Sequence, residues 1–224
     1  MEILIRISKA RLERPVDKSY TCKGISTFIL KIVRHSILFL SLFYVTLYLP
    51  FSLILYLPGW YKISCNWHSR CEKMGYERID TGIKELSRFF RHQGELTSIF
   101  WTGKEKAHLL EVRHMADKMF FFSIFALCGL IFCFHARLVS DFALVNMIII
   151  LSLLTILPVF GVFWRDVFHP ILFKNQLWLN TRFDFSFYIM PRVFFKITTA
   201  LLIVICSGIN FLIWYGLRKR LLKL

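Results

Sequence analysis

The chain has 224 residues, of which 56% are hydrophobic types and 19% charged, and it carries 29 Lys+Arg against 14 Asp+Glu for a formal net charge of +15. A mean hydropathy of +0.55, with the apolar residues gathered in long runs between polar stretches, excludes an ordinary soluble core and points to a membrane bundle. The positive charge flanks those runs and forms no basic domain of its own, so nucleic acid is excluded as a partner and anionic headgroups account for it.

Residues 1–36 form a basic segment with Arg6, Lys9, Arg11, Arg14, Lys18 and Lys23. It is too long and too charged for the n-region of a signal peptide, and no small-residue cleavage site follows the first apolar run. Four runs are long enough, or nearly so, to span: residues 37–57 (with Pro50 inside), 119–134, 142–163 and 193–217. A spanning helix needs about 20 apolar residues, so the short second run depends on an apolar-faced helix leading into it. The expectation is an all-α integral membrane protein, a four-helix bundle over residues 37–217 with an extracytoplasmic cap of short amphipathic helices. The long connections, 59–118 and 164–192, then share one face of the membrane, and the tails share the other. The tail over 218–224 carries Arg218, Lys219, Arg220 and Lys223, which places both termini in the cytoplasm. The first long loop is basic too, but long loops translocate largely regardless of charge.

Within that loop, residues 80–93 carry Ile83, Leu86, Phe89 and Phe90 on one stripe against Lys84, Arg88 and Arg91. The pattern predicts an amphipathic helix at the membrane interface. Thr102-Gly-Lys-Glu105 reads as a capping box that starts a helix through Leu109, Val112 and Met115 toward the second run. Of the six cysteines, Cys128, Cys133 and Cys206 lie in apolar runs and read as packing residues. Cys65 and Cys71 flank His68; a disulfide fits an extracytoplasmic loop, and a metal site lacks a fourth ligand at useful spacing. Asn146 and Asn210 stand inside apolar runs, where such residues bond between helices. No charged residue lies mid-span, which argues against a transporter.

Phosphate loops, GxSxG elbows, HExxH and paired CxxC motifs are absent from the sequence, so chemistry rests on histidines. His108 has Glu111 three residues on, on the same helical face, where a carboxylate fixes an imidazole tautomer. Spacing alone describes a solvated helix face better than a catalytic one. His169, just past the third run among aromatics and near Arg165 and Asp166, suits an acid or base; an anchor at headgroup depth is the plainer reading. His35, His68, His92 and His135 read as interfacial or surface residues.

The stretch Phe100-Trp-Thr-Gly-Lys-Glu-Lys-Ala-His108-Leu-Leu-Glu111-Val-Arg113 resembles a segment of the lipoprotein intramolecular transacylase family, whose pattern is a Glu followed by His-Met-x-Asp-Val-Lys. Glu105 fits the preceding acid, Glu111 replaces the Asp and Arg113 the Lys. A rival register takes Glu111 as the acid and His114-Met-Ala-Asp117 as the core, but only the first keeps Val112-Arg113 at the Val-Lys end. Phe168-His169-Pro-Ile-Leu-Phe173-Lys-Asn175-Gln-Leu-Trp178, running to Asp184 and Pro191-Arg-Val-Phe194-Phe195, resembles a second family segment, and Cys71 to Leu86 is similar to the family's first loop. Pro170, Asn180-Thr181 and Arg192 depart from the family pattern, marking a divergent member.

The resemblance implies a bacterial cytoplasmic-membrane enzyme that moves the sn-2 acyl chain of a diacylglyceryl-cysteine lipoprotein to that cysteine's own α-amino group. It implies no cofactor and no metal, since the acyl donor is on the substrate; the partners are the lipoprotein N-terminus and membrane lipid. His108 is expected as base with Glu111 orienting it, and His169 as acid or oxyanion donor, though the two roles can be exchanged. Arg113, Asn175, Trp178 and Asp184 are expected to bind substrate or the oxyanion. Two other classes fit the residues alone: a non-enzymatic membrane accessory protein, or a phospholipid acyl hydrolase or transacylase. One geometric demand follows. A straight helix from Thr102 lifts His108 about 16 Å above Met119, whereas His169 sits close to the third span, so the helix is expected to bend or lie across the bundle mouth.

Overall fold

The computed structural model describes residues 18–223. Four rods dominate it: α1 (Lys18–Tyr56), α5 (Gly103–Phe132), α6 (Ala136–Leu172) and α8 (Arg192–Leu221). Their apolar windows have mean hydropathies of 1.8–2.5. Helices are what hydrocarbon permits, because every backbone group must be satisfied within the chain. Phe120, Phe121, Phe122 and Phe125 point outward, exposed to lipid rather than packed inside. Each rod exceeds the ~20 residues that a span requires, and the surplus carries the functional loops. Residues 1–17 of the basic N-terminal segment lie outside the described residues.

α6 and α8 pack antiparallel through small and apolar side chains: Val139 and Ala143 meet Ile213 and Trp214, and Ile150 meets Ile203 and Cys206. α5 lies against α1, where Gly129 faces Ser41 and Ile37. Small residues at such crossings let helix backbones approach where no hydrophobic driving force operates between them. Of the free cysteines, Cys206 is buried as expected for packing, but Cys128 is exposed on the lipid side.

The third rod does not stop at residue 163. It tightens to 3₁₀ geometry over Leu153–Val159, which contains Pro158, widens to a π-helix over Phe163–Phe168, and ends with an α-turn at His169–Leu172. Proline withholds one backbone donor, and local 3₁₀ and π adjustments re-satisfy the groups that it frees. The second rod is one continuous α-helix from its cap at Thr102, and the lengthened third rod raises His169 toward it.

The cap comprises α2 (Pro58–Ser64), a 3₁₀ turn, α3 (Arg70–Met74), α4 (Tyr76–Phe90) and α7 (Ser186–Ile189). The amphipathic helix expected over 80–93 is α4, beginning and ending earlier. Its apolar stripe is not on lipid: Ile79, Ile83, Leu86 and Phe89 are buried with Trp101, Phe185 and Ile189 in one protein core. Burial of that stripe inside the protein satisfies its amphipathicity without a membrane surface. Glu85 ties the following loop down, accepting from Thr97, Ser98 and the Trp101 indole. Burial opposes the ionisation of Glu85, but those donors hold its carboxyl below the usual value. A Cys65–Cys71 disulfide closes the turn between α2 and α3.

Gly82 is the tightest point of the cap, because a Cβ there runs into the Phe185 ring. Gly82→Ala should therefore force Phe185 out of place. Overpacking of this kind costs about 1–3 kcal/mol, read as a lowered thermal midpoint of the purified protein; an unchanged midpoint would show that α4 and α7 do not pack this closely.

Candidate active site

The start of α5 is fixed before any chemistry is placed on it. The Thr102 hydroxyl accepts from the Glu105 N–H, and the Glu105 carboxylate accepts from the Thr102 N–H at 3.0 Å. The other Glu105 oxygen accepts from the Ser186 backbone N–H at 2.6 Å. Glu105 is therefore a buried joint between α5 and α7, with both oxygens engaged. Asp184 forms the second joint: it accepts from Lys104 at 2.6 Å and from the Thr181 N–H and hydroxyl at 2.6 and 2.9 Å, with the Thr102 hydroxyl at 3.0 Å. Burial works against its ionised form, yet Lys104, Thr181 and Thr102 together hold its carboxyl below the usual carboxylate value.

From that fixed start, α5 presents His108 and Glu111 one turn apart. Glu111 Oε2 lies 3.5 Å from His108 Nδ1, a facing contact rather than a formed hydrogen bond. Glu111 Oε1 accepts from Asn175 Nδ2 at 2.6 Å. The Asn175 side-chain carbonyl in turn accepts from the Leu177 N–H, and its backbone carbonyl from the Trp178 indole, each at 3.0 Å. One asparagine thus sets both the carboxylate behind His108 and the indole beside His169.

His169 ends the π-helical stretch. Its ring Nδ1 lies 2.7 Å from the Trp164 carbonyl, which also accepts the His169 backbone N–H. A carbonyl only accepts, so Nδ1 carries the proton and Nε2 is left with its lone pair when the ring is neutral. Trp178 lies on the ring at 4.3 Å between centroids and Trp164 meets it edge-on at 4.7 Å. The His108 and His169 rings stand 6.5 Å apart, with Phe173 against both at 4.7 and 5.8 Å.

The residues singled out from sequence divide accordingly. His108, His169, Glu111, Asn175 and Trp178 come together. Arg113 does not join them: five residues turn it about 140° from His108, and its guanidinium lies 4.0 Å over the Phe89 ring, 3.5 Å from Glu95. Asp184 is engaged in the Lys104 joint. In the rival register, His114 is exposed and Asp117 is occupied by His92 at 2.8 Å. Phe173 and Trp164 escaped sequence reasoning as walls of this site, since nothing separates a wall-forming aromatic from an interface anchor by pattern. Among the described residues, no group of three or more His, Cys, Asp or Glu is placed to hold a metal ion.

A four-rod helical membrane protein with paired, aromatically walled imidazoles above its spans is the class that this fold and site define. The family model for the lipoprotein intramolecular transacylase Lit matches residues 36–195, and the chain belongs to that family of membrane acyltransferases. Two solved structures share its fold. The lipoprotein intramolecular transacylase of Bacillus cereus superposes with a TM-score of 0.76 at 14% identity, over 87% of this chain and 96% of that one. A variant of that protein with one histidine replaced by alanine gives 0.73 at 13% identity, over 90% and 98%. No curated protein matches the chain by sequence.

The Asp184 joint carries a pH signature. A carboxyl held low in the folded chain contributes stability that is whole above its unfolded value, about 3.9, and is lost as pH falls through the lowered folded value. Asp184→Asn should lower the thermal midpoint at neutral pH and reduce the further loss seen between neutral pH and about pH 3; identical acid-side curves for the two proteins would contradict the assignment.

Proposed function

We propose that the chain moves the sn-2 acyl group of a lipoprotein's diacylglyceryl-cysteine to the α-amino group of the same cysteine, with His108 as base and His169 as proton donor. The observation that carries this reading is the facing pair of imidazoles, with the Nδ1 of His169 bonded to the Trp164 carbonyl and the Nδ1 of His108 facing the Glu111 carboxylate at 3.5 Å.

An α-amino group with a pKa near about 7.7–8.0 is largely protonated at neutral pH and must lose a proton to attack. Burial pushes the His108 imidazole below its usual value, with the Glu111 carboxylate countering in part, so the ring is neutral and free to take a proton at neutral pH. With the amine bound as its free base, the nitrogen lone pair forms the new C–N bond at the ester carbonyl and the nitrogen gives its proton to His108. That proton passes across the 6.5 Å between ring centroids, through one intervening hydroxyl or water, to the His169 Nε2, which burial leaves neutral with a lone pair. The C–O bond breaks as the departing glyceryl oxygen takes it from His169, which leaves both rings as they began. The net change is an isomerisation, so atoms and electrons balance without a co-reactant. Because the Asn175 amide is committed to Glu111, this residue positions the base rather than binding the oxyanion, and Arg113 has no part at the ester. The Trp164, Phe173 and Trp178 walls keep bulk water from the acyl carbon, which favours transfer over hydrolysis.

His108→Ala and His169→Ala should each reduce conversion by about 10²–10⁴-fold, the usual worth of a positioned acid or base. Asn175→Ala should leave a smaller defect. Conversion is read by mass spectrometry of lipoprotein N-termini in a host without the activity. Unchanged diacylglyceryl N-termini with the wild-type chain present in the membrane would refute the substrate, and fatty acid release instead would make the chain a hydrolase.

The same reading sets the cap on the extracytoplasmic side of a bacterial cytoplasmic membrane, with both termini in the cytoplasm. Support comes from the basic C-terminal turn of α8, with Arg218, Lys219 and Arg220, and from the Cys65–Cys71 disulfide, which suits an oxidising compartment. Tyr76 is 70% exposed on the cap. Tyr76→Cys should take up a membrane-impermeant maleimide in intact spheroplasts; labelling only after permeabilisation would invert the topology.

A further inference from the structure

The sequence assigns Asn146 and Asn210 to bonds between helices, and only one of them makes such a bond. Asn210 Nδ2 donates to Thr46 Oγ1 on α1 at 3.0 Å and to the Cys206 carbonyl at 2.9 Å. Asn146, fully buried, has no protein partner on either its Nδ2 or its Oδ1. The Ser207 hydroxyl and Asn210 Oδ1, also buried, have none.

These atoms share one level of the bundle. Ser140 reaches the Trp214 carbonyl at 3.5 Å, and Ile150 packs on Ile203 and Cys206. Between those two ties, the antiparallel register of α6 and α8 brings Asn146 level with Ser207 and Asn210. Ten residues above Ala136, Asn146 is about 15 Å into the bilayer, near the middle of a hydrocarbon core about 30 Å thick. Unsatisfied polar groups are most costly there, since neither lipid nor bulk water offers a partner.

The chemistry of the unpartnered set is specific. Asn146 Oδ1 and Asn210 Oδ1 are acceptors, while Asn146 Nδ2 and the Ser207 hydroxyl offer donors. Two acceptors and two donors are the complement of a single water molecule, which gives two hydrogen bonds and takes two. A direct Asn146–Ser207 or Asn146–Asn210 bond would use one donor and one acceptor and leave the other two atoms unmet. We propose that Asn146, Ser207 and Asn210 form a binding site for one ordered water at the centre of the membrane bundle. That water joins α6 to α8 and, through Asn210 and Thr46, to α1. Buried waters of this kind make about three hydrogen bonds to groups otherwise unsatisfied.

The site is tested on the purified full chain by thermal unfolding of Asn146→Leu, Ser207→Ala and the double variant. If one water couples the residues, each single change lowers the midpoint and the double change lowers it little more than the worse single one, because either loss dismantles the same shell. Additive effects, or a midpoint raised by Asn146→Leu, would overturn the proposal. Should a variant fail to fold, electron density of the unaltered protein at about 2 Å resolution decides. A peak within about 2.7–3.2 Å of both asparagine carbonyls supports the site, and an Asn146 amide bonded directly across to α8 with no density between overturns it.

Discussion

Hydrocarbon offers no hydrogen bonds, and that one constraint arranges the rest of this protein. A titratable side chain has to be carried above the spans on a helix that outruns them. α5 does so from its capped start at Thr102, and α6 does so by continuing to Leu172 through 3₁₀ and π turns. Two rods of unequal regularity bring their imidazoles to one level. The π stretch also aims the second ring, because it puts the Trp164 carbonyl where both the backbone N–H and the Nδ1 of His169 reach it. π-Bulges are frequent at functional sites for this reason: one wider turn redirects a side chain without ending the helix.

Above the spans, order is imposed by buried carboxylates. Glu105 and Asp184 each gather several donors, and between them they fasten the start of α5 to the segment over 179–186. Glu111 takes a donor from the same long connection through Asn175. The face of α5 that carries His108 and Glu111 is therefore braced on two sides by a chain that folds back over it. Charge-assisted bonds of this kind are the stronger ones, and they add direction to the apolar core of the cap, where Ile83, Leu86, Trp101 and Phe185 are buried together.

Much of this was legible in the sequence, and the failures have physical causes. Thr102 and Glu105 announce a helix start because a capping box is a local device, complete within four residues. The four spans follow from run length. The continuation of α6 beyond residue 163 was hidden, since Arg165, Asp166 and Pro170 read as loop, while the third rod keeps its helical path by changing its hydrogen-bond period. The stripe of α4 was visible, but not what would cover it: periodicity gives a helix an apolar face and does not say whether protein or lipid meets that face. Arg113 matched a family position by type, yet its angle around α5 turns it to Phe89. Sequence spacing held the information for Glu111 and against Arg113 alike, because three residues return to one helical face and five do not.

The same reasoning explains why the paired histidines can share a site with so little charge around them. Lys104 is bound to Asp184, Glu105 to its backbone donors and Arg113 to the Phe89 side, so each of these formal charges has a partner other than the two rings. Glu111 alone among these carboxylates faces an imidazole. A reaction that only relocates an acyl chain within one molecule needs no net charge supplied or removed. It needs a proton taken at nitrogen and one returned at oxygen, in a place where water cannot compete. An aromatic wall with one carboxylate and one carbonyl-bound imidazole fits that requirement.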